Sequence, residues 1–170
     1  MQNNLNKLIE RGLAINNRKL NIKSPGVDAI FLDNVKNVFN IVIPIDMQQI
    51  LKQISYDLLC GFEFFDFTVN DDNWSGIVKN NLEIRKQYTE ESQGQSDMSH
   101  ILVLADDDGG SVFMITQNDP NKPAPVIWCD YGDMYYYSIH KKFQYSHDEW
   151  PSFTAFFEYL VEQEEKKLEE

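Results

Sequence analysis

Apolar residues recur along the chain with two different periods, and the change between them separates a helical first half from a strand-rich second half. Leu5, Leu8, Ile9 and Leu13 fall at i, i+3, i+4 and i+8, the spacing of a helix with one buried face. NNRKLNIKSPG (16–26) carries no such repeat and reads as a loop punctuated by Ser24-Pro25-Gly26. The pattern resumes at Val27, with Phe31, Val35, Val38 and Phe39 on one helical face. IVIP is β-branched and precedes a proline, so it is extended and ends that helix before Pro44. Asp46 then suits the N-cap of a third helix, in which Met47, Ile50, Leu51, Ile54 and Leu58 form the stripe and Gly61 supplies the stop. FEFFDFTV reads as a strand or an irregular apolar linker, and Asp71-Asp72 opens a helix through IVKNNLEIRKQY. Residues 89–100 are polar and unpatterned, as a surface loop is.

Beyond residue 100 the runs shorten and become β-prone. ILVLA (101–105) and SVFMIT (111–116) flank Asp106-Asp107-Asp108-Gly109-Gly110, and glycines that accept positive φ between two such runs signal a hairpin. PVIWC (125–129) and MYYYSIH (134–140) read as two further strands. Phe153, Phe156, Phe157, Leu160 and Val161 then repeat with helical spacing ahead of a solvated tail. Helices, an antiparallel meander of about four strands and a closing helix packed on the sheet make an α+β fold. The expected organisation is one domain overall, with an N-terminal helix and loop over 1–26 ahead of a body over 27–170.

Composition bounds what this fold can do. A chain of 170 residues with 42% hydrophobic and 13% aromatic content can bury one sizeable core. A mean hydropathy of -0.44 and no long apolar run argue against a membrane span. The N-terminal stretch has charges scattered among its apolar positions and does not read as a secretory signal, so the expected location is the cytoplasm. Cys60 and Cys129 lie in unlike contexts and read as small buried apolar residues rather than a disulfide or a zinc site. The net charge of -12 is unevenly spread: Lys7, Arg11, Arg18, Lys19 and Lys23 face Glu10 alone in residues 1–25, leaving -16 on the remaining 145. That balance disfavours nucleic acid or an anionic membrane as a partner and favours electrostatically steered encounter with a basic protein; the same acidity also serves solubility.

Candidate chemistry is sparse. A calcium loop beginning at Asp106 would need a late bidentate glutamate, but its twelfth position is Gln117 and the flanks are strands, so DDDGG reads as a hairpin tip. His100, His140 and His147 show no metal-ligand spacing, no nucleophile or phosphate-loop motif occurs, and no metal or cofactor is expected. Trp74, Trp128, Tyr131, Tyr135, Tyr136, Tyr137 and Trp150 are dense for a domain of this size. Two readings of them stand: a sheet face covered by helices, or aromatic anchors of a protein-binding surface. Under the second, the partner-binding residues are Asp106, Asp107, Asp108, Asp130, Tyr131, Asp133 and Tyr135, carboxylates beside aromatics in one stretch of sequence.

Four segments taken in order carry a family resemblance: VKNVFNIVIPIDMQQIL, WSGIVKNN, ILVLADDDGGSVFMIT, and APVIWCD with WPSFTAFFEYL. Over residues 27–162 the chain resembles the SUKH superfamily, the Smi/Knr group of fungal cell-wall regulators and bacterial immunity proteins. Leu58-Leu59-Cys60-Gly61 departs from the family's usual Asn-Gly pair, only the glycine fitting, and the basic N-terminal residues fall outside the match. The resemblance implies an α+β binding module without a shared catalytic residue set. For a bacterial member it implies an immunity protein that occludes a cognate toxin, a nuclease in many cases. The alternatives are a scaffold or regulatory interaction protein with a cellular partner, and a hydrolase whose site assembles only in space around His100, His140 or His147.

Overall fold

The computed structural model describes residues 2–19, 29–54, 58–67 and 76–170. Helix α1 (Gln2–Lys19) runs through residues 16–19, which the sequence pattern assigns to a loop, while Ser24-Pro25-Gly26, Asp71-Asp72 and Trp74 lie outside the described residues. Helix α2 (Ala29–Phe39) buries Phe31, Val35 and Phe39 as its spacing predicts. The chain leaves it through Asn40 at φ 56 and stays non-helical to Pro44.

Helix α3 (Ile45–Leu51) is shorter than expected and is not capped by Asp46. Pro44 occupies the N-cap position, and Asp46 lies inside the first turn. The helix closes where the amides of Gln53 and Ile54 both bond to Ile50 O, so Leu58 is no longer part of it. Leu58–Leu59 form strand β1 and Phe62–Phe64 strand β2, joined by Cys60 (φ 56) and Gly61 (φ 91). Two successive positive φ values are those of a type I′ turn, so Gly61 turns a hairpin instead of ending a helix.

Helix α4 (Gly76–Glu91) precedes strands β3 (Ile101–Asp106), β4 (Gly110–Ile115) and β5 (Val126–Asp130), all three near their expected places. The fourth expected strand is instead helix α5 (Tyr131–His140). Aromatic content favours strands only weakly and gives way to local capping. Asp130 accepts a hydrogen bond from the Asp133 amide at 2.8 Å, as an N-cap does, and Lys141 closes the helix in the left-handed region. Strand β6 (Asp148–Trp150) and helix α6 (Phe153–Glu169) complete the chain.

Among the described residues the sheet has six strands where about four were expected, in the order β1-β2-β3-β4-β5-β6, each pair antiparallel. Its architecture is α+β with the C-terminal helix packed on the sheet. Gly110 is required where β4 passes β5, since a Cβ there would meet Cys129 O at 2.2 Å. A bulge at Leu104 lets the pairing pass from Val103–Phe113 to Ala105–Val112.

Alternating strand side chains feed two cores. Leu102, Leu104, Val112, Met114 and Val126 join a large cluster with residues of α1, α2, α3 and α6; Ile101, Val103, Phe113, Ile127 and Cys129 join a smaller one with Tyr88 and Met134. Helix α6 is tied at both ends. Ser152 accepts from the Ala155 amide, Asp46 Oδ2 accepts from Thr154 N at 3.1 Å and Thr154 Oγ1 at 2.9 Å, and Glu165 makes a two-pronged ion pair with Arg11 of α1. Asp46 thus caps α6, not its own helix. Among the described residues no helix is long and apolar enough to cross a membrane.

Candidate protein-binding corner

The β3–β4 hairpin tip and the start of α5 meet at one corner of the sheet. Asp107 organises the tip: its Oδ1 accepts from the amides of Gly109 (2.9 Å) and Gly110 (2.7 Å), and its Oδ2 accepts from the Trp128 indole at 2.9 Å. The Tyr131 hydroxyl donates to Asp107 O at 2.8 Å, which locks the first turn of α5 onto the hairpin. Asp106 is half-buried and accepts from Ser111 Oγ at 2.6 Å, across the strand pair. Burial raises its carboxyl pKa, partly offset by the Ser111 hydrogen bond and reinforced by Asp107 and Glu63.

The seven residues singled out in the sequence separate into two groups. Asp106, Asp107, Asp108, Asp130 and Tyr131 come together at the corner, with Asp108 and Asp130 exposed and Tyr131 45% exposed. Asp133 and Tyr135 do not belong to that surface. Asp133 is fully buried and accepts from the amides of Gln144 (2.6 Å) and Tyr145 (3.2 Å), which pins the loop after α5. Tyr135 packs edge-on against Tyr88, ring centres 5.0 Å apart, in the smaller core. The strand expected over 134–140 is a helix, which buries Asp133 and leaves Tyr135 half-buried against the smaller core.

Glu63 was missed. The register sets it opposite Asp106, exposed, and its only sequence signal was its polar place between Phe62 and Phe64. The Tyr131 phenol is pushed up by burial first and then by Asp106, Asp107, Asp108 and Glu63, the carboxylates around that ring. None of these carboxylates forms an ion pair with a described residue.

Other reactive groups are dispersed. His140 stacks on Tyr136 and His147 on Phe143, while His100 is exposed. Burial pushes the Cys129 thiol up to about 12, so it stays protonated at neutral pH, and the Cys60 thiol donates to Leu160 O. No group of three metal-ligating side chains occurs among the described residues. A concavity of about 710 Å³ lies between α1, α3, the 120–123 turn and the start of α6. Two of its polar side chains, Asp46 and Ser152, are already used in capping α6. No protein-family model, curated protein or solved structure matches the chain.

Proposed function

We propose that this chain is a non-catalytic protein-binding domain that acts by stoichiometric occlusion of a basic partner. The observation that carries this reading is the corner itself. The partially exposed Tyr131 ring is held rigidly by a hydrogen bond to the hairpin and surrounded by carboxylates that no described cation neutralises. Rigid aromatic anchors ringed by charge suit a partner of opposite sign, because the ring supplies contact area at low entropic cost and the charge steers encounter. Of proteins that work in this way, we favour an immunity protein that neutralises a cognate toxin, with a phosphate-gripping nuclease as the fitting kind. The resemblance to the SUKH superfamily supports that choice, and the acidic body suits competition for a basic cleft. Such a domain needs no cofactor and works in the cytoplasm, where its partner would otherwise act.

The test is capture of partners by the purified protein at low and at high salt, with identification by mass spectrometry. A basic, salt-eluted partner with toxic activity is the expected result. Glu63→Lys with Asp108→Lys should then abolish its capture while leaving the Asp107 turn intact. A salt-indifferent partner without toxicity would replace the immunity reading by a scaffold, and capture unaffected by the two reversals would remove the corner from it.

A further inference from the structure

The concavity between α1, α3, the 120–123 turn and the start of α6 has the size of a ligand site, at about 710 Å³. Its walls are tied to one another. Ile45 N donates to Pro120 O at 2.9 Å, which joins α3 to the turn; Asp46 accepts from Thr154, which joins α3 to α6; Arg11 with Glu165 joins α1 to α6. The turn is also closed within itself, Asp119 accepting from the amides of Asn121 at 3.0 Å and Lys122 at 3.1 Å. The concavity is thus preformed. With Asp46 and Ser152 committed to α6, its lining still holds three side-chain carboxamides: Asn4 of α1, Gln49 of α3 and Asn121 of the turn. Asn4 and Asn121 are exposed, Gln49 is half-exposed, and none of the three makes a side-chain hydrogen bond with a described residue. They share the lining with apolar Leu5, Leu8 and Ile45, the last 40% exposed at the first position of α3. Its charged side chains are two carboxyl groups, Asp46 and Glu158, and one amine, Lys122. Neither Glu158 nor Lys122 forms an ion pair with a described residue.

We infer that this concavity is a binding site for an extended peptide segment of another protein, one with apolar side chains and no net negative charge. A carboxamide donates and accepts at once, and the group that matches it is the N–H and C=O of extended backbone. The protein makes that pairing internally, where the Asn81 side chain bonds to both the N–H and the C=O of Val103. Asn4, Gln49 and Asn121 offer the same pairing from three separate elements. A ligand that uses all three must present amide groups along its length, as extended backbone does and a compact small molecule does not. Alternate side chains of an extended segment point to one side, and Leu5, Leu8 and Ile45 form the apolar surface to receive them. Main-chain pairing then gives affinity, and the apolar contacts give selectivity. Two carboxyl groups against one amine disfavour acidic or phosphorylated segments. None of the lining residues belongs to the acidic corner, so this inference does not rest on the partner reading.

The experiment is selection of random short peptides displayed on phage against the full chain. The enriched peptide, synthesised with neutral ends, is then titrated at high salt, where long-range steering is screened. Enriched peptides should carry apolar residues at alternate positions and no excess of Asp or Glu. Gln49→Ala and Asn121→Ala should each raise the peptide Kd about tenfold, because a backbone group of the peptide loses its partner. Ile45→Glu should abolish binding, whereas Glu63→Lys with Asp108→Lys should leave it unchanged, which separates this site from the corner. Amide resonances of residues 45–49 and 120–123 should shift on titration of the wild type, and that decides the matter even if a variant proves unstable. Failure to enrich any peptide would overturn the inference. So would a peptide that responds to the corner reversals and not to Gln49→Ala, or one whose resonance shifts lie away from the concavity.

Discussion

The two faces of the sheet are held by different means. The face covered by α1, α2, α3 and α6 is an extended apolar core, with Phe31, Met47, Ile50 and Phe156 fully buried. The opposite face has a smaller apolar cluster and depends on buried polar side chains. Asn81 of α4 is the clearest case. Strand β2 stops after pairing with Ala105 and Asp106, and the Asn81 amide takes the place of a strand beyond it, donating to Val103 O at 2.8 Å and accepting from Val103 N at 2.9 Å. Asp133 does the same for the amides of residues 144 and 145, and Ser138 Oγ joins Tyr135 O to Ser96. An apolar core tolerates approximate fit, whereas a buried polar contact specifies one geometry and is expensive to leave unmade. The second face is therefore the more exactly determined one, and it is the one that orients α5 and the corner.

This contrast can be broken at several strengths. Phe156→Ala on the first face should lower stability most, by about 3–5 kcal/mol, because a fully buried ring leaves a cavity; urea midpoints measure it. On the second face, Asn81→Leu should cost about 2–3 kcal/mol despite its similar size, since two backbone groups of Val103 lose their partner. Recovery of wild-type stability in Asn81→Leu would show that this face, too, is held by apolar packing alone. Asp46→Ala should cost about 1 kcal/mol, the usual loss of a helix cap, and act on α6 although Asp46 belongs to α3. Faster amide exchange at Thr154 than in α3 would locate the effect.

The smallest effect concerns pH. Asp97 is held at about 2 by the backbone and side chain of Ser99 and then by Lys141. A carboxyl with a depressed folded-state pKa contributes stability that is fully present above its ordinary range near 4 and is lost as pH falls towards 2. Asp97→Asn should thus be less stable than wild type by under about 1 kcal/mol at pH 6, since the group is half exposed and screened, and the difference should vanish near pH 2. A gap that persists at pH 2 would assign the loss to hydrogen-bond geometry instead of charge.

Legibility in the sequence follows the same division. The stripes of α1, α2 and α6 and the β3–β4 hairpin were readable because burial on one face imposes a period; most of their apolar residues are buried, while Leu5, Leu13 and Val38 are only partly so. The α5 segment was misread because its buried positions are Asp133, Met134 and Ser138, a pattern in which polar groups occupy core sites. The capping pair Asp130–Asp133 was the available signal. Strands β1 and β6, of two and three residues, are too short to show any alternation.

The sequence by itself determined the fold class, the composition of the main core, the hairpin at DDDGG and the acidic character of the body. These follow from local period and charge, which need no knowledge of distant neighbours; the hairpin turns on the amide bonds to Asp107 and not on the positive φ expected of Gly109 and Gly110. Only the tertiary structure decided which carboxylates are free. Asp107 is consumed by a turn and an indole, Asp133 by a loop and Asp46 by a distant helix, while Glu63 joins the corner across a strand pair. A carboxylate's role depends on which donors reach it, and donors from remote segments arrive only when the chain is folded.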